Sequence, residues 1–161
     1  MSISKTRTKN ASSEPSFEVV RSWLSVVKAY NQCDALLARG LATIGLRNPE
    51  YEILANLLRE PGLSQQALAE RCFTAKSHIS ALLTSMQERG WLRRENHPLD
   101  ARAKSLFLEP DGQAMAERGK RIQAETVKVM AAAISPEQLR QVHEAMLSVS
   151  AALDERLRNT S

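Results

Sequence analysis

From Phe17 onward, apolar residues recur at helical spacing. Phe17, Val20, Leu24 and Val27 lie three or four apart, and Leu37, Leu41 and Ile44 resume the rhythm, so the pattern predicts a first helix to about residue 44. Asn48-Pro49 reads as an N-cap followed by proline at the first helical position. The helix it opens carries Tyr51, Ile53, Leu54, Leu57 and Leu58 and ends at the Pro61-Gly62 turn. Ser64 is placed to cap a short helix with Leu68 on its buried side. Thr74 is placed to cap the next, which runs to about Arg89 and stops at Gly90. Residues 91–95 and 103–108 are the predicted strands. In the second, Ser105 and Phe107 take one face and Leu106 and Leu108 the other. The polar stretch ENHPLDAR between them suits a hairpin loop. Pro110 opens a helix to about Ala133, and Ser135-Pro136-Glu137-Gln138 is a capping box that opens the last one. There Leu139, Val142, Met146, Val149 and Leu153 alternate spacings of four and three, a heptad seam that faces either the protein's own core or a partner subunit.

Two short helices joined by a tight turn and followed by a hairpin form a winged helix-turn-helix pattern. The fold is expected to be mainly α with a small β-hairpin wing. Its expected divisions are a disordered basic arm over 1–16, helical segments over 17–45 and 110–158, and a winged helix-turn-helix lobe over 46–109.

Charge sharpens this picture. The net charge of the 161 residues is only +4, but it is uneven. Residues 63–104 hold seven Lys and Arg against four acids, residues 1–16 carry +2, and the remainder sums to −1. A central basic block and a basic tail favour a polyanion, although chance clustering of solvated charge gives the same pattern.

The helix from Thr74 carries the chemistry. Ile79, Leu82, Leu83 and Met86 form its apolar stripe. At 100° per residue the opposite face presents Ser77, Ala81 and Thr84, flanked by His78, Ser80 and Ser85. Small hydroxyl-bearing residues let a helix approach base edges closely and hydrogen-bond to bases or phosphates. An ordinary surface helix carries Glu and Lys on its outer face, and this one has neither between Ser77 and Ser85. Thr74 and Lys76 extend the candidate contact set at the helix start. Arg93, Arg94, Arg102 and Lys104 extend it onto the hairpin, where arginine can clamp phosphates or enter the minor groove. Asp100 suits no phosphate; its expected role is to pair with Arg94 or Arg102 and shape the wing.

Gly90-Trp91-Leu92-Arg93-Arg94, then Asp100-Ala101-Arg102-Ala103, Leu106-Phe107-Leu108 and Gly112, resemble the wing signature of the MarR family of bacterial regulators. LSQQALAERCFTAKSHISALLTSMQERG resembles that family's helix-turn-helix, and GLRNPEYEIL its second-helix opening. The chain departs from the pattern at Ala101, where a second basic residue is common. Glu109 stands where a capping threonine is usual, and Arg47 and Glu50 replace frequent Thr and Gln.

The resemblance implies a homodimer on double-stranded DNA, formed by the first and last two helices, with 17–45 and 110–158 as the dimerisation region, 46–109 as the DNA-binding lobe and one recognition helix per subunit in the major groove. It also implies an effector pocket between the dimerisation helices and the DNA-binding lobe, often for small aromatic acids or phenols. The expected activity is that of an effector-responsive repressor on a pseudo-palindromic operator. Trp23 and Tyr30 with Arg47 as anchor, or Arg21 as the competing anchor, suit a small aromatic carboxylate. The two aromatics equally suit simple packing in a dimer core.

Two alternatives stay open: a regulator sensing oxidants through Cys33 or Cys72, and a winged-helix adaptor for other proteins. No nucleotide-binding glycine motif, metalloprotease motif or nucleophile elbow is present, so an enzyme is not expected, nor a cofactor or metal. His78, His97 and His143 are far apart and lack ligand spacing. No segment approaches the length of a membrane span and no secretory signal is evident, which together point to the cytoplasm.

Overall fold

The computed structural model describes residues 14–72, 76–97 and 100–160; it does not describe the side chains at 76, 97 and 100–102. The elements are α1 (Phe17–Ala42), α2 (Asn48–Arg59), α3 (Gln65–Arg71), α4 (Lys76–Glu88), β1 (Leu92–His97), β2 (Asp100–Leu108), α5 (Pro110–Ala131) and α6 (Pro136–Arg158). The mainly helical chain with one antiparallel hairpin is the expected fold class. It divides into two units, Met1–Gln32 and Cys33–Ser161. The described part of the first is the opening stretch of α1, where Phe17, Trp23 and Tyr30 are exposed.

The second unit holds the core. Leu41 and Leu46, then Ile53, Leu54 and Leu57 of α2, Leu68 of α3, Ile79, Leu83 and Met86 of α4 and Leu106 of β2 are all within 1% of full burial. Each such side chain contributes roughly 1.5–3 kcal/mol of transfer free energy, so this cluster fixes how α4 sits against its neighbours. The predicted stripe of α4 is therefore the buried one, with Leu82 half-buried at its edge.

Helix ends follow local chemistry. Ser64 accepts from the Ala67 N–H, and Ser135 from the Gln138 N–H in the expected capping box. At α2 the cap lies one residue earlier than expected. Arg47 is the extended N-cap and Asn48 is already helical, because the Glu50 carboxylate satisfies the Arg47 N–H while the Asn48 amide donates to Asp34 Oδ1 at 2.6 Å. Glu109 caps α5 without a side-chain hydrogen bond. Gly90, at φ +70°, closes α4: its N–H donates to Gln87 O and the Trp91 N–H to Met86 O, a Schellman ending that needs a left-handed residue.

The hairpin is longer than the sequence suggested. It pairs Leu92 with Leu108 through to Asn96 with Lys104, and His97 with Asp100 after an irregularity. The expected loop from Glu95 to Arg102 is thus largely strand, because backbone ladders form irrespective of how polar the side chains are. A contact not anticipated from sequence adds a short third edge. Ser64 bridges Ser105, Leu106 N–H donates to Leu63 O, and Gly62 N–H donates to Leu106 O. This explains why Ser105 is buried with only 3% exposure.

Candidate nucleic-acid interface

Burial of Ile79, Leu83 and Met86 turns the other side of α4 outward. Ser77, His78, Ser80, Ala81 and Thr84 are exposed, and Ser85 is half-buried. Thr74 lies outside the described residues, as do the side chains of Lys76, Asp100 and Arg102, so the expected Asp100 pairing falls outside them too.

The described cations of the wing are already engaged. Arg94 Nη1 donates to Gln87 Oε1 at 2.6 Å, and its Nη2 lies 3.5 Å from Thr84 Oγ1, which ties the wing root to α4. Arg93 Nε donates to Glu95 Oε1 at 2.7 Å, its Nη1 is 3.5 Å from Glu109 Oε1, and its guanidinium lies 5.0 Å from the Phe107 ring centroid. With two carboxylates beside it, Arg93 meets a phosphate only by exchanging partners. Lys104 Nζ donates to Asn96 Oδ1 across the hairpin.

Behind α4 lies a cluster that sequence reasoning did not single out. Among the described residues Glu50 is the one acidic side chain in the buried class, at 1% exposure. Its Oε2 accepts from the Arg47 N–H at 3.0 Å. Its Oε1 accepts from Arg47 Nη2 at 2.7 Å and from Arg89 Nη1 at 3.0 Å. Burial works against the carboxylate, but the hydrogen bonds from Arg47 and the charges of Arg47 and Arg89 prevail and hold Glu50 below its ordinary range. The Arg89 guanidinium also lies 3.5 Å above the Trp91 ring centroid. The legible signal was the Glu at the third position of a capped helix; its long-range partner was not.

The expected effector residues fall in different units. Arg21, Trp23 and Tyr30 belong to the first unit and Arg47 to the second, where it is bound to Glu50. Between α2 and α5 is a cavity of about 230 Å³ with Ala55, Leu58 and Ala116 as apolar wall and Arg59 and Lys120 as cations. Tyr51 and Gln123, joined by a 2.8 Å hydrogen bond, complete it.

Of the two thiols, Cys72 is buried and its pKa is pushed up to about 11, chiefly by burial and then by Glu52, so it stays protonated at neutral pH. Half-buried Cys33 lies with Sγ 3.3 Å from Met130 Sδ. Among the described residues no group of three His, Cys, Asp or Glu is placed to hold a metal, and no helix is long and apolar enough to cross a membrane.

Residues 44–103, which span α2 to the wing, match the model of the MarR family. Over this stretch the chain is similar to the MarR family. HosA of Escherichia coli O111:H-, named a transcriptional regulator, is 32% identical over 68 residues, 42% of this chain and 50% of HosA. The chain thus spans about half the length of the curated relatives it matches. Sco3205, a MarR family transcriptional regulator from Streptomyces coelicolor solved in complex with DNA, superposes with a TM-score of 0.80 at 24% identity, over 89% of this chain and 92% of Sco3205. PcaV, a transcriptional regulator from the same organism solved with its natural ligand, gives 0.68 at 21% identity, over 89% and 99%. These structural likenesses show that the chain shares the fold of these two proteins.

Proposed function

We propose that this chain is a member of the MarR family and a DNA-binding transcriptional regulator, a repressor that grips a pseudo-palindromic operator as a homodimer. The observation that carries the reading is the outward face of α4. Its small and hydroxyl-bearing residues stand clear of the core on a helix held by a rigid buried stripe, beside a wing rich in arginine. That Sco3205 was solved with DNA supports the same assignment.

The experiment is enrichment of sequences from a randomised duplex pool, followed by affinity against salt. The wild type enriches a pseudo-palindrome with half-sites about 10 base pairs apart. Arg102→Ala lowers the log–log salt slope by roughly one unit and leaves the preferred sequence unchanged, as loss of one phosphate contact does. No binding at low salt would favour the adaptor reading instead.

The regulator is released by a small organic acid. The cavity between α2 and α5 supports this with apolar walls and two cations, and PcaV, solved with its natural ligand, supports the ligand-responsive reading. A ring against Leu58 and Ala116 with its carboxylate toward Arg59 and Lys120 matches the chemistry of the lining. Release of DNA follows if the bound dimer holds its recognition helices at the wrong spacing, and a tenfold loss of operator affinity needs about 1.4 kcal/mol of coupling. In a thermal-shift panel of benzoates, cinnamates and indole acids, stabilisation by an acid is lost in Arg59→Ala and kept in Arg47→Ala. The reverse outcome returns the anchor to Arg47, and an inert panel removes the aromatic-acid reading.

A further inference from the structure

The buried carboxylate at the start of α2 has a reach that capping alone does not require. A glutamate three residues after an N-cap satisfies that cap's N–H, and one oxygen is enough for this. Here Oε2 does it, and Oε1 is left to bridge two guanidiniums. One belongs to Arg47, the cap residue itself. The other belongs to Arg89, thirty-nine residues away and one step beyond the end of α4.

Arg89 is in turn held from its far side. It lies over the ring of Trp91, which is 8% exposed and leads into β1. The backbone between these two residues is the Schellman ending at Gly90. The last turn of α4 is thus fixed at three points: the Glu50 carboxylate, the Trp91 face and the Met86 carbonyl that accepts the Trp91 N–H. The apolar stripe resists translation of α4, but methyl groups and thioethers tolerate small rotations. A charge-assisted hydrogen bond at 3.0 Å does not, because it weakens steeply with misalignment. Rotation of α4 about its axis is the movement that changes which of Ser77, His78, Ala81 and Thr84 meets a base edge.

We infer that Glu50, through its bond to Arg89, is the positioning residue that sets the rotational setting of α4, so that discrimination among DNA sequences depends on it while general affinity for duplex does not. The inference rests on the DNA-binding reading above.

Glu50→Gln tests it well because the substitution removes a negative charge. On electrostatics alone it strengthens binding to every duplex, so any fall is geometric. The probes are the sequence enriched by the wild type and a random duplex of equal length, titrated at the same salt concentration. In Glu50→Gln the ratio of the two affinities falls roughly tenfold, while affinity for the random duplex stays level or rises. Arg89→Lys keeps the net charge but loses the planar fork that bridges Glu50 and the indole, and it lowers the ratio similarly. The double variant is no worse than either single one. If Glu50→Gln does not fold, as judged by its melting transition, Arg89→Lys decides alone. A wild-type ratio in the folded variants overturns the inference, as does an equal fall for both duplexes. A wild type that binds no duplex at all is a different result and overturns the DNA-binding reading itself.

Discussion

Gly112→Ala destabilises the protein by about 3 kcal/mol, because a methyl group there overlaps backbone with no freedom to retreat. A Cβ on Gly112 would lie 1.8 Å from the Trp91 carbonyl oxygen and 2.7 Å from its carbon. That carbonyl cannot turn aside, since it accepts the Glu109 N–H at 3.0 Å and sits between a Schellman ending and the first residue of β1. For a domain of this size the loss appears as a fall in Tm of roughly 6–12 °C. Gly40→Ala is the matched control. Its added Cβ meets the Ile122 Cγ2 methyl at 2.5 Å, a single side-chain contact rather than two backbone atoms, so its Tm falls less. Calorimetry of both variants checks the ordering. A Gly112→Ala protein that melts with the wild type would mean that the start of α5 is free to lift off Trp91.

Met146→Asp converts the protein to monomers and abolishes operator binding. The α6 helix has no buried residue, and its seam positions Leu139, Val142, Met146, Val149 and Leu153 are between 36% and 59% exposed in the protomer. A seam of this regularity is costly to leave in water, which supports the second copy as its proposed cover. A homodimer would meet the substitution twice, with a carboxylate buried each time at a cost of several kcal/mol per ion. At 1.4 kcal/mol per factor of ten, the dimer dissociation constant rises about a thousandfold or more. Sedimentation velocity at micromolar concentration reads the change directly. Ser148→Asp lies on the opposite face of the same helix and leaves the oligomeric state alone. A Met146→Asp protein that sediments as the wild type does would place the subunit contact elsewhere.

The parts of the fold legible in the sequence were those whose cause is local. The caps at Ser64 and Ser135, the Gly90 stop and the stripe of Ile79, Leu83 and Met86 each follow from spacing or a single turn, and each is where it was expected. The misplacements come from competition between nearby partners or from backbone pairing. Asn48 is a good cap by type, but Asp34 claims its amide and Glu50 supplies the cap bond. Glu95, Asn96, His97 and Asp100 resemble a loop by their polarity, yet all four pair across the hairpin, because the hydrogen bonds of the ladder are made by the main chain. The third edge at Leu63 and Ser64 left no trace, since nothing in two polar or aliphatic residues announces a bridge to Ser105. At the candidate site, the outward face of α4 was readable from helical period alone. The engagement of Arg94 with Gln87 and of Arg93 with Glu95 was not, because arginine is long enough to choose among many acceptors.

The Trp91 carbonyl makes three elements behave as one mechanical part. It belongs to the residue whose N–H closes α4 on Met86 O, it accepts the N–H of Glu109 at the α5 cap, and it bears on the bare Cα of Gly112. A joint of this kind has no backlash: with no side chain between the two backbones, there is no soft layer in which a displacement could be absorbed. A displacement of the first turn of α5 therefore bears directly on the Trp91 backbone, two residues beyond Arg89. The same helix carries Ala116, Lys120 and Gln123 into the α2–α5 cavity, so the backbone joint at Trp91 and the cavity wall share one rigid element.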